Sequence, residues 1–340
     1  MPSQLHFLNV KQGDCTWIKH ADGKNTIIDV FNASSEEQES MESAKALTTS
    51  LFDIEFATKG IRGNFGQKKY PVNPIEYLKG FDVGSIFRYI QTHPDMDHMG
   101  GIKDLFAEFS PINMWDTDNN KEMGSFEGSP YSEDDWEFYK DLRSGSESDP
   151  KRLTLFAGSK GQYFNKNEDG ITGGNGLYIV APTKKLVDEA NENEDYNDCS
   201  YVIVFQSSNG QKVVIGGDSH DNTWEYILEN HKSDVKDADL LIAPHHGRDS
   251  GRNYDFLDTV NPKLTFFGNA KSEHLAYDHW NRRGLEKFTN NQGNCLLAQF
   301  NEGGTDIFCT YKKFAEAYCK ESNYETYYSS TMKGYFLKTL

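Results

Sequence analysis

The chain has no long hydrophobic run. None of its apolar stretches approaches the roughly 18 residues that a membrane-spanning helix needs, so no transmembrane helix is expected. Paired cysteines are also missing. Cys15, Cys199, Cys295, Cys309 and Cys319 are odd in number and form no Cys-x-x-Cys motif. Four of them lie in apolar or strand-like stretches, which points to buried free thiols and a reducing cytoplasm. Cys199 adjoins Asp198 and is read as a packing residue. Positive charge is scarce: 35 Lys and Arg stand against 52 Asp and Glu, for a net charge of −17. Such a surface disfavours broad, non-specific binding to nucleic acid or anionic membranes. A nucleic-acid substrate is still admissible, because bound divalent metals supply local positive charge. The first residues, Met1 to His6, lack a basic start followed by an apolar core, so no secretory signal is expected. No fixed-period repeat and no low-complexity tail are present.

What the chain does have is enough apolar material to fold. Hydrophobic residues make up 36% and aromatics 13% of 340 residues, which excludes a mainly disordered chain and suits one elaborated α/β domain. Strands are expected at 5–10, 15–20 and 26–30, as a meander with Asp22-Gly23 as a hairpin turn. Further strands are expected at 177–181, 201–206, 212–216, 239–243, 263–268, 295–300 and 305–311. Helices fit 34–57, 100–109, 132–142, 219–231, 252–260, 278–289 and 312–321. Residues 59–74 read as a basic, glycine-bearing loop. The irregular block 110–176 reads as an insertion lying over a cleft.

The densest chemistry lies in Thr92-His93-Pro94-Asp95-Met96-Asp97-His98-Met99-Gly100-Gly101. Two imidazoles and two carboxylates follow an apolar strand-like stretch, Ser85 to Gln91. Neutral imidazole and carboxylate suit Zn, Mn or Fe, and a tight turn can aim all four at one spot or at two adjacent ones. Two later apolar stretches also end on candidate ligands. Val213 to Ile215 leads into Gly216-Gly217-Asp218, and Leu240 to Ala243 leads into Pro244-His245-His246-Gly247.

This set resembles the metallo-β-lactamase-fold hydrolases, and within them the soluble hydrolase domain of the ComEC competence proteins and their stand-alone relatives. The superfamily motif His-x-His-x-Asp-His appears here in the ComEC-like form His-x-Asp-x-Asp-His, with Asp95 in place of the second His. Phe7 to Asp14, Thr26 to Asp29, Asn197-Asp198-Cys199-Ser200 before Tyr201 to Phe205, Gly217-Asp218 and His245-His246-Gly247 resemble the family's other motifs. Two positions depart from it: Lys11 replaces a Gly before Gln12, and Val30-Phe31 replaces a Gly after Asp29.

The resemblance implies a four-layer αββα sandwich with insertions at about 33–75 and 110–176, spanning residues 1–311. Residues 312–340 then form a C-terminal helical and aromatic extension. The resemblance also implies two divalent metal ions, Zn or Mn. His93, Asp95 and His245 or a neighbour would hold one, Asp97 and His98 the other, with Asp218 bridging and Asp198 a further candidate oxygen ligand. The carboxylate-rich set raises Mn relative to Zn. Asp95 or Asp97 would orient or deprotonate the attacking water. His246 is expected to be an orienting residue or an acid for the leaving oxygen ahead of a metal ligand. Arg248 and Ser250 are candidate phosphate contacts, and His274 or His279 matches a region where relatives carry a cleft histidine. His6, His20, His220 and His231 read as structural or exposed.

The expected activity is that of a metal-dependent phosphodiesterase or nuclease using a hydroxide activated by two metals. Two other classes stay open: a hydrolase of a small ester, lactone, thioester or cyclic nucleotide, and a regulatory subunit of a defence or DNA-handling complex. A nucleic-acid or other phosphodiester substrate, no membrane, and partner proteins or a homo-oligomer complete the expectations.

Overall fold

Neighbouring residues in the strands point to opposite faces and are buried on both. Leu5, Phe7, Ile18, Ile28 and Ile90 join one apolar cluster, while Trp17, Ile27, Tyr89 and Met114 join another. Strands with two apolar faces must be covered on both sides, and the computed structural model shows how. It describes residues 1–34, 64–145, 149–270 and 275–340. The strands are β1 Gln4–Phe7, β2 Thr16–Lys19, β3 Asn25–Ile28, β4 Arg88–Ile90, β5 Asn113–Trp115, β6 Lys151–Leu153, β7 Leu177–Ala181, β8 Val202–Gln206, β9 Lys212–Ile215, β10 Leu240–Ile242, β11 Leu264–Phe267, β12 Lys287–Thr289, β13 Leu296–Asn301, β14 Gly304–Cys309, β15 Tyr328–Ser329 and β16 Gly334–Thr339. They form a ten-stranded sheet, ordered β15-β16-β14-β13-β1-β2-β3-β4-β5-β6, and a six-stranded sheet, ordered β12-β11-β10-β9-β8-β7.

The fold is mixed α/β, with two sheets face to face and helices on the outer faces. Between the sheets, Phe7, Ile28 and Trp115 meet Ile203, Phe205, Ile215, Ile242 and Phe266. Helices Pro74–Gly80, Ile102–Phe109 and Glu133–Ser144 cover the outer face of the large sheet. Helices Asp221–Asn230, Phe256–Val260 and Tyr277–Arg282 cover that of the small one. Each fully buried Leu, Ile or Phe contributes about 1.5–3 kcal/mol of transfer free energy.

Most expected elements are present within a residue or two. The helix expected over 278–289 is not. It stops at Arg282, and Gly284, with φ 66°, turns the chain into β12, which extends the small sheet beside β11. The block 110–176 contributes β5 and β6 to the edge of the large sheet, in parallel register with β4. Residues 334–339 form β16, paired with β14 in that same sheet. Helices Pro74–Gly80 and Lys184–Asn193 were not expected. The first carries an Asn73 cap, whose side chain accepts from Ile75 N and Glu76 N. The second carries a Thr183 cap. The helix expected at 34–57 lies almost wholly outside the described residues. All five cysteines are free and buried, and no described helix is long and apolar enough to cross a membrane.

The register places function at one edge. β3 runs parallel to β4, and β9 to β10, so their carboxyl ends lie together. Tyr201 N donates to Thr92 O across the two sheets at 3.0 Å. Gly13 lets the β1–β2 loop dock there, because a Cβ at this position would lie 1.8 Å from the Asp97 carbonyl oxygen.

His6 yields a prediction on stability. It is buried among Trp17, Tyr77 and Phe81, with only Nδ1 hydrogen bonded, to the Tyr77 hydroxyl. Burial, and secondarily Lys19, push its pKa down to about 3. The unfolded chain takes up this proton near pH 6.5 and the folded chain only near 3. The contribution to stability is therefore full above pH 6.5 and is lost as pH falls toward 3. Denaturant titrations of wild type and His6→Phe should diverge below pH 6.5, with wild type losing about 1.4 kcal/mol more per pH unit. Parallel pH profiles would show that His6 protonates freely in the folded protein.

Candidate metal centre

Four loops meet at the shared sheet edge. The turn after β4 carries His93 to His98, the turn after β9 carries Asp218, and the turn after β10 carries His245 and His246. Asp29 follows β3 directly. Asp218 sits in the middle. Its Oδ1 is 3.2 Å from His98 Nε2, and its Oδ2 lies 3.9 Å from His93 Nε2, 3.6 Å from His245 Nε2 and 3.7 Å from His246 Nε2. His246 Nε2 is also 3.5 Å from Asp97 Oδ2. His93–His98–Asp218, Asp97–His98–His246 and Asp14–Asp218–His246 each bring three donor atoms within 4.8 Å of one another.

The orientation of each imidazole is set by what holds its far nitrogen. Asp29, with φ 57°, turns its carboxylate to accept from Thr92 N at 2.8 Å, Thr92 Oγ1 at 2.7 Å and His98 Nδ1 at 2.7 Å. Because the Thr92 hydroxyl proton goes to Asp29, its oxygen is left to accept from His93 Nδ1, 3.1 Å away. One carboxylate thus assigns the tautomers of both His93 and His98 and aims their Nε2 atoms inward. Asp14 does the same for His246, whose Nδ1 lies 2.8 Å from Asp14 Oδ1.

His245 is held differently. Its Nδ1 faces Arg252 Nη2 at 3.0 Å. Arginine can only donate, so this nitrogen accepts, and the Nε2 of a neutral His245 carries a proton. Burial, against the pull of Asp218, pushes the His245 pKa down to about 4 and keeps the ring neutral. His245 and His246 both have positive φ, 53° and 57°, which sends consecutive rings in different directions. Gly247, with φ 80°, follows where a Cβ would strike Phe267.

The site fits a bound cation. His93 Nε2, His98 Nε2, His246 Nε2 and Asp218 Oδ1 are all buried and make no hydrogen bond among the described residues. Leaving such atoms unpaired costs about 1–3 kcal/mol each, which a metal would offset. Without one, the imidazoles themselves balance the carboxylates. Burial opposes charging of His246, yet Asp14 and Asp218 prevail and raise its pKa to about 10. Burial likewise opposes charging of His98, which Asp218 and Asp29 hold well above its ordinary value. Asp97 and Asp218 are held low in turn by these histidines, against their own burial.

The remaining expected residues are placed as follows. Asp95 lies outside the three donor groups. Its Oδ2 is 3.7 Å from His93 Nε2, and its Oδ1 pairs with Lys121 Nζ at 2.5 Å. Asp198 is turned to the start of helix Asp221–Asn230, where its Oδ1 accepts from Thr223 N at 3.2 Å and Thr223 Oγ1 at 3.1 Å. Ser250 is exposed and its Oγ accepts from Arg252 Nε at 3.0 Å. Arg248 is exposed at the rim, close enough for its charge to act on His245 and Tyr131. His279 stacks on Tyr254 at 3.9 Å, and His274 lies outside the described residues. Sequence reasoning missed the orienting roles of Asp14, Asp29, Thr92 and Arg252, and missed Lys121 altogether. Asp14 and Asp29 stood inside recognised motifs, and that was the one available signal.

No protein-family model matches the sequence, and no curated protein matches it. Several solved structures are similar in shape. A metallo hydrolase from the hyperthermophilic archaeon Ignicoccus hospitalis is 12% identical, with a TM-score of 0.45 over 88% of this chain and 100% of its own. An isothiocyanate hydrolase from Delia radicum gut bacteria is 13% identical, with a TM-score of 0.43 over 84% of this chain and 95% of its own. A diphosphatase of the PhnP family is 11% identical, with a TM-score of 0.41 over 88% of this chain and 98% of its own. Likenesses of this size leave the chemistry to be read from this chain's own residues.

Proposed function

We propose that the chain is a metal-dependent hydrolase acting on phosphodiesters, with nucleic acid as the substrate class and the cytoplasm, suggested by its free buried thiols, as its location. The observation that carries the metal-dependent part of this reading is that buried, unpartnered donor atoms of His93, His98, His246 and Asp218 gather in overlapping groups at the sheet edge. In this reading His93, His98 and Asp218 would hold one divalent ion, and Asp97 and His246 would hold a second. The two adjacent histidines therefore exchange the roles suggested by the resemblance. His246 offers a lone pair, whereas His245 offers an N–H. Bound divalent ions would supply Lewis-acid polarisation of the ester and activation of water.

The chain's own groups account for the rest. Asp97, the more exposed of the inner carboxylates, can accept a proton from the attacking water. His245, half-buried and with a proton on Nε2, can donate a hydrogen bond to a leaving oxygen. Arg248 at the rim is placed to meet a phosphate.

Purified protein should carry about two divalent ions per chain by elemental analysis and should hydrolyse bis-p-nitrophenyl phosphate and single- or double-stranded DNA or RNA when loaded with Mn or Zn. Protein that takes up no metal would remove the reading. Protein that binds metal but turns over only a lactone or neutral ester would transfer it to the small-ester class, the reading in better accord with the chain's net charge of −17. Asp97→Asn should lower turnover by at least about 100-fold with the melting temperature little changed. Near wild-type rates would exclude Asp97 from proton transfer.

The orienting carboxylates carry a separate expectation. Asp14→Ala and Asp29→Ala should each weaken metal affinity by about 10–100-fold in competition with a chromophoric chelator. Asp29→Ala should have the larger effect, because it releases two imidazoles rather than one. Equal affinities in wild type and both variants would show that the rings are oriented by packing alone.

A further inference from the structure

We propose that Lys121 is a substrate-anion contact: its ammonium receives a non-bridging oxygen of the phosphoryl group beside the metal centre, and Asp95 keeps it poised there. This inference rests on the phosphodiester reading and deepens it.

The pair stands apart from the rest of the centre. The His93 and His98 side chains have no solvent exposure and Asp218 has 4%, whereas Asp95 is 34% exposed and Lys121 18%. A ligand approaching from solvent therefore reaches Lys121 and Asp95 before the buried donors. Of the three N–H bonds of the ammonium, one meets Asp95 Oδ1, and the ring of Tyr196 lies 5.3 Å from Nζ. Donors are left for a second acceptor.

The arm that carries Lys121 is built rather than loose. Arg143 Nη1 donates to the Lys121 carbonyl at 2.7 Å and to Asn119 Oδ1 at 3.0 Å. Asn119 Nδ2 bonds the Tyr139 hydroxyl at 2.7 Å. Asn120 N donates to Asn191 Oδ1 at 2.9 Å, and Asn120 Oδ1 accepts from the Tyr196 hydroxyl at 3.0 Å. Three separate helical segments thus hold the backbone on both sides of one lysine and deliver it to the cleft.

Charge gives the arm its meaning. A chain of net charge −17 repels a polyanion at long range, so binding one needs cations within a Debye length, about 8–10 Å, of the reacting phosphate. Arg252, a buried cation at the same edge, is spent on the Ser219 carbonyl and His245. Lys121 is placed to supply that charge. Asp95 stands where the resemblance has an imidazole in other superfamily members. The Asp95–Lys121 pair is neutral as a whole, and both of its members, Asp95 more than Lys121, are open to solvent.

The test titrates inorganic phosphate calorimetrically into Mn-loaded wild type, Lys121→Met and Lys121→Arg, and titrates Mn separately into each metal-free protein. Lys121→Met should bind phosphate about 10–100-fold more weakly, Lys121→Arg should recover much of the loss, and Mn affinity should stay within about twofold of wild type. In kinetics, Lys121→Met should raise KM for bis-p-nitrophenyl phosphate more than it lowers kcat. Unchanged phosphate affinity, or phosphate and Mn affinity falling together in both variants, would overturn the proposal and reduce Lys121 to a counter-ion for Asp95. Wild type that binds no Mn would instead sink the metal-hydrolase reading, so the two failures are distinguishable.

Discussion

Asp29 is the residue on which the geometry of the centre depends. Its carboxylate accepts three hydrogen bonds within 2.8 Å and, through Thr92, settles which nitrogen of His93 and of His98 faces inward. Imidazole is ambivalent, since either nitrogen can carry the proton, so donor atoms converge only where a partner removes the choice. Asp29 can do this because β3 and β4 are parallel neighbours, which brings the end of one strand against the turn that follows the other. The left-handed backbone at Asp29 is the conformational cost of turning its side chain into that corner.

The same logic, applied with different partners, separates two adjacent histidines. Asp14 is an acceptor and leaves the inward Nε2 of a neutral His246 with a lone pair. Arg252 is a donor and leaves His245 with an inward proton. A pair of identical residues thereby acquires two chemistries from a difference beyond the rings themselves. The positive φ at both positions keeps the rings from lying side by side, and Gly247 makes room for the turn.

The centre also explains why the fold has its particular seam. Asp14 comes from the β1–β2 loop, Asp29 and the His93–His98 turn from the large sheet, and Asp218 and His246 from the small one. A cluster of donor atoms divided between two sheets exists only when both are docked, so the apolar layer between them positions the cluster as well as stabilising the fold. Lys121 adds a sixth segment, from the irregular stretch between β5 and β6.

Much of this was legible from the chain alone. Short continuous apolar runs marked the central strands, and a local cluster such as His93 to His98 needs only its own turn to become a candidate site. Asp218 and the His245-His246 pair were visible because each ends an apolar strand. The helix misjudged at 278–289 shows the limit of local pattern: Gly284 and pairing with β11 override a helical spacing that continues through it. What the tertiary structure alone decided was long-range. It set which nitrogen of each histidine faces inward, which carboxylates hold the far nitrogens of the rings, that Asp198 serves a helix start, and that Lys121 reaches Asp95. Sequence specifies which groups are present and their local periodicity. The direction of a donor atom depends on the partner behind it, and that partner is brought into place only by the packing of the two sheets.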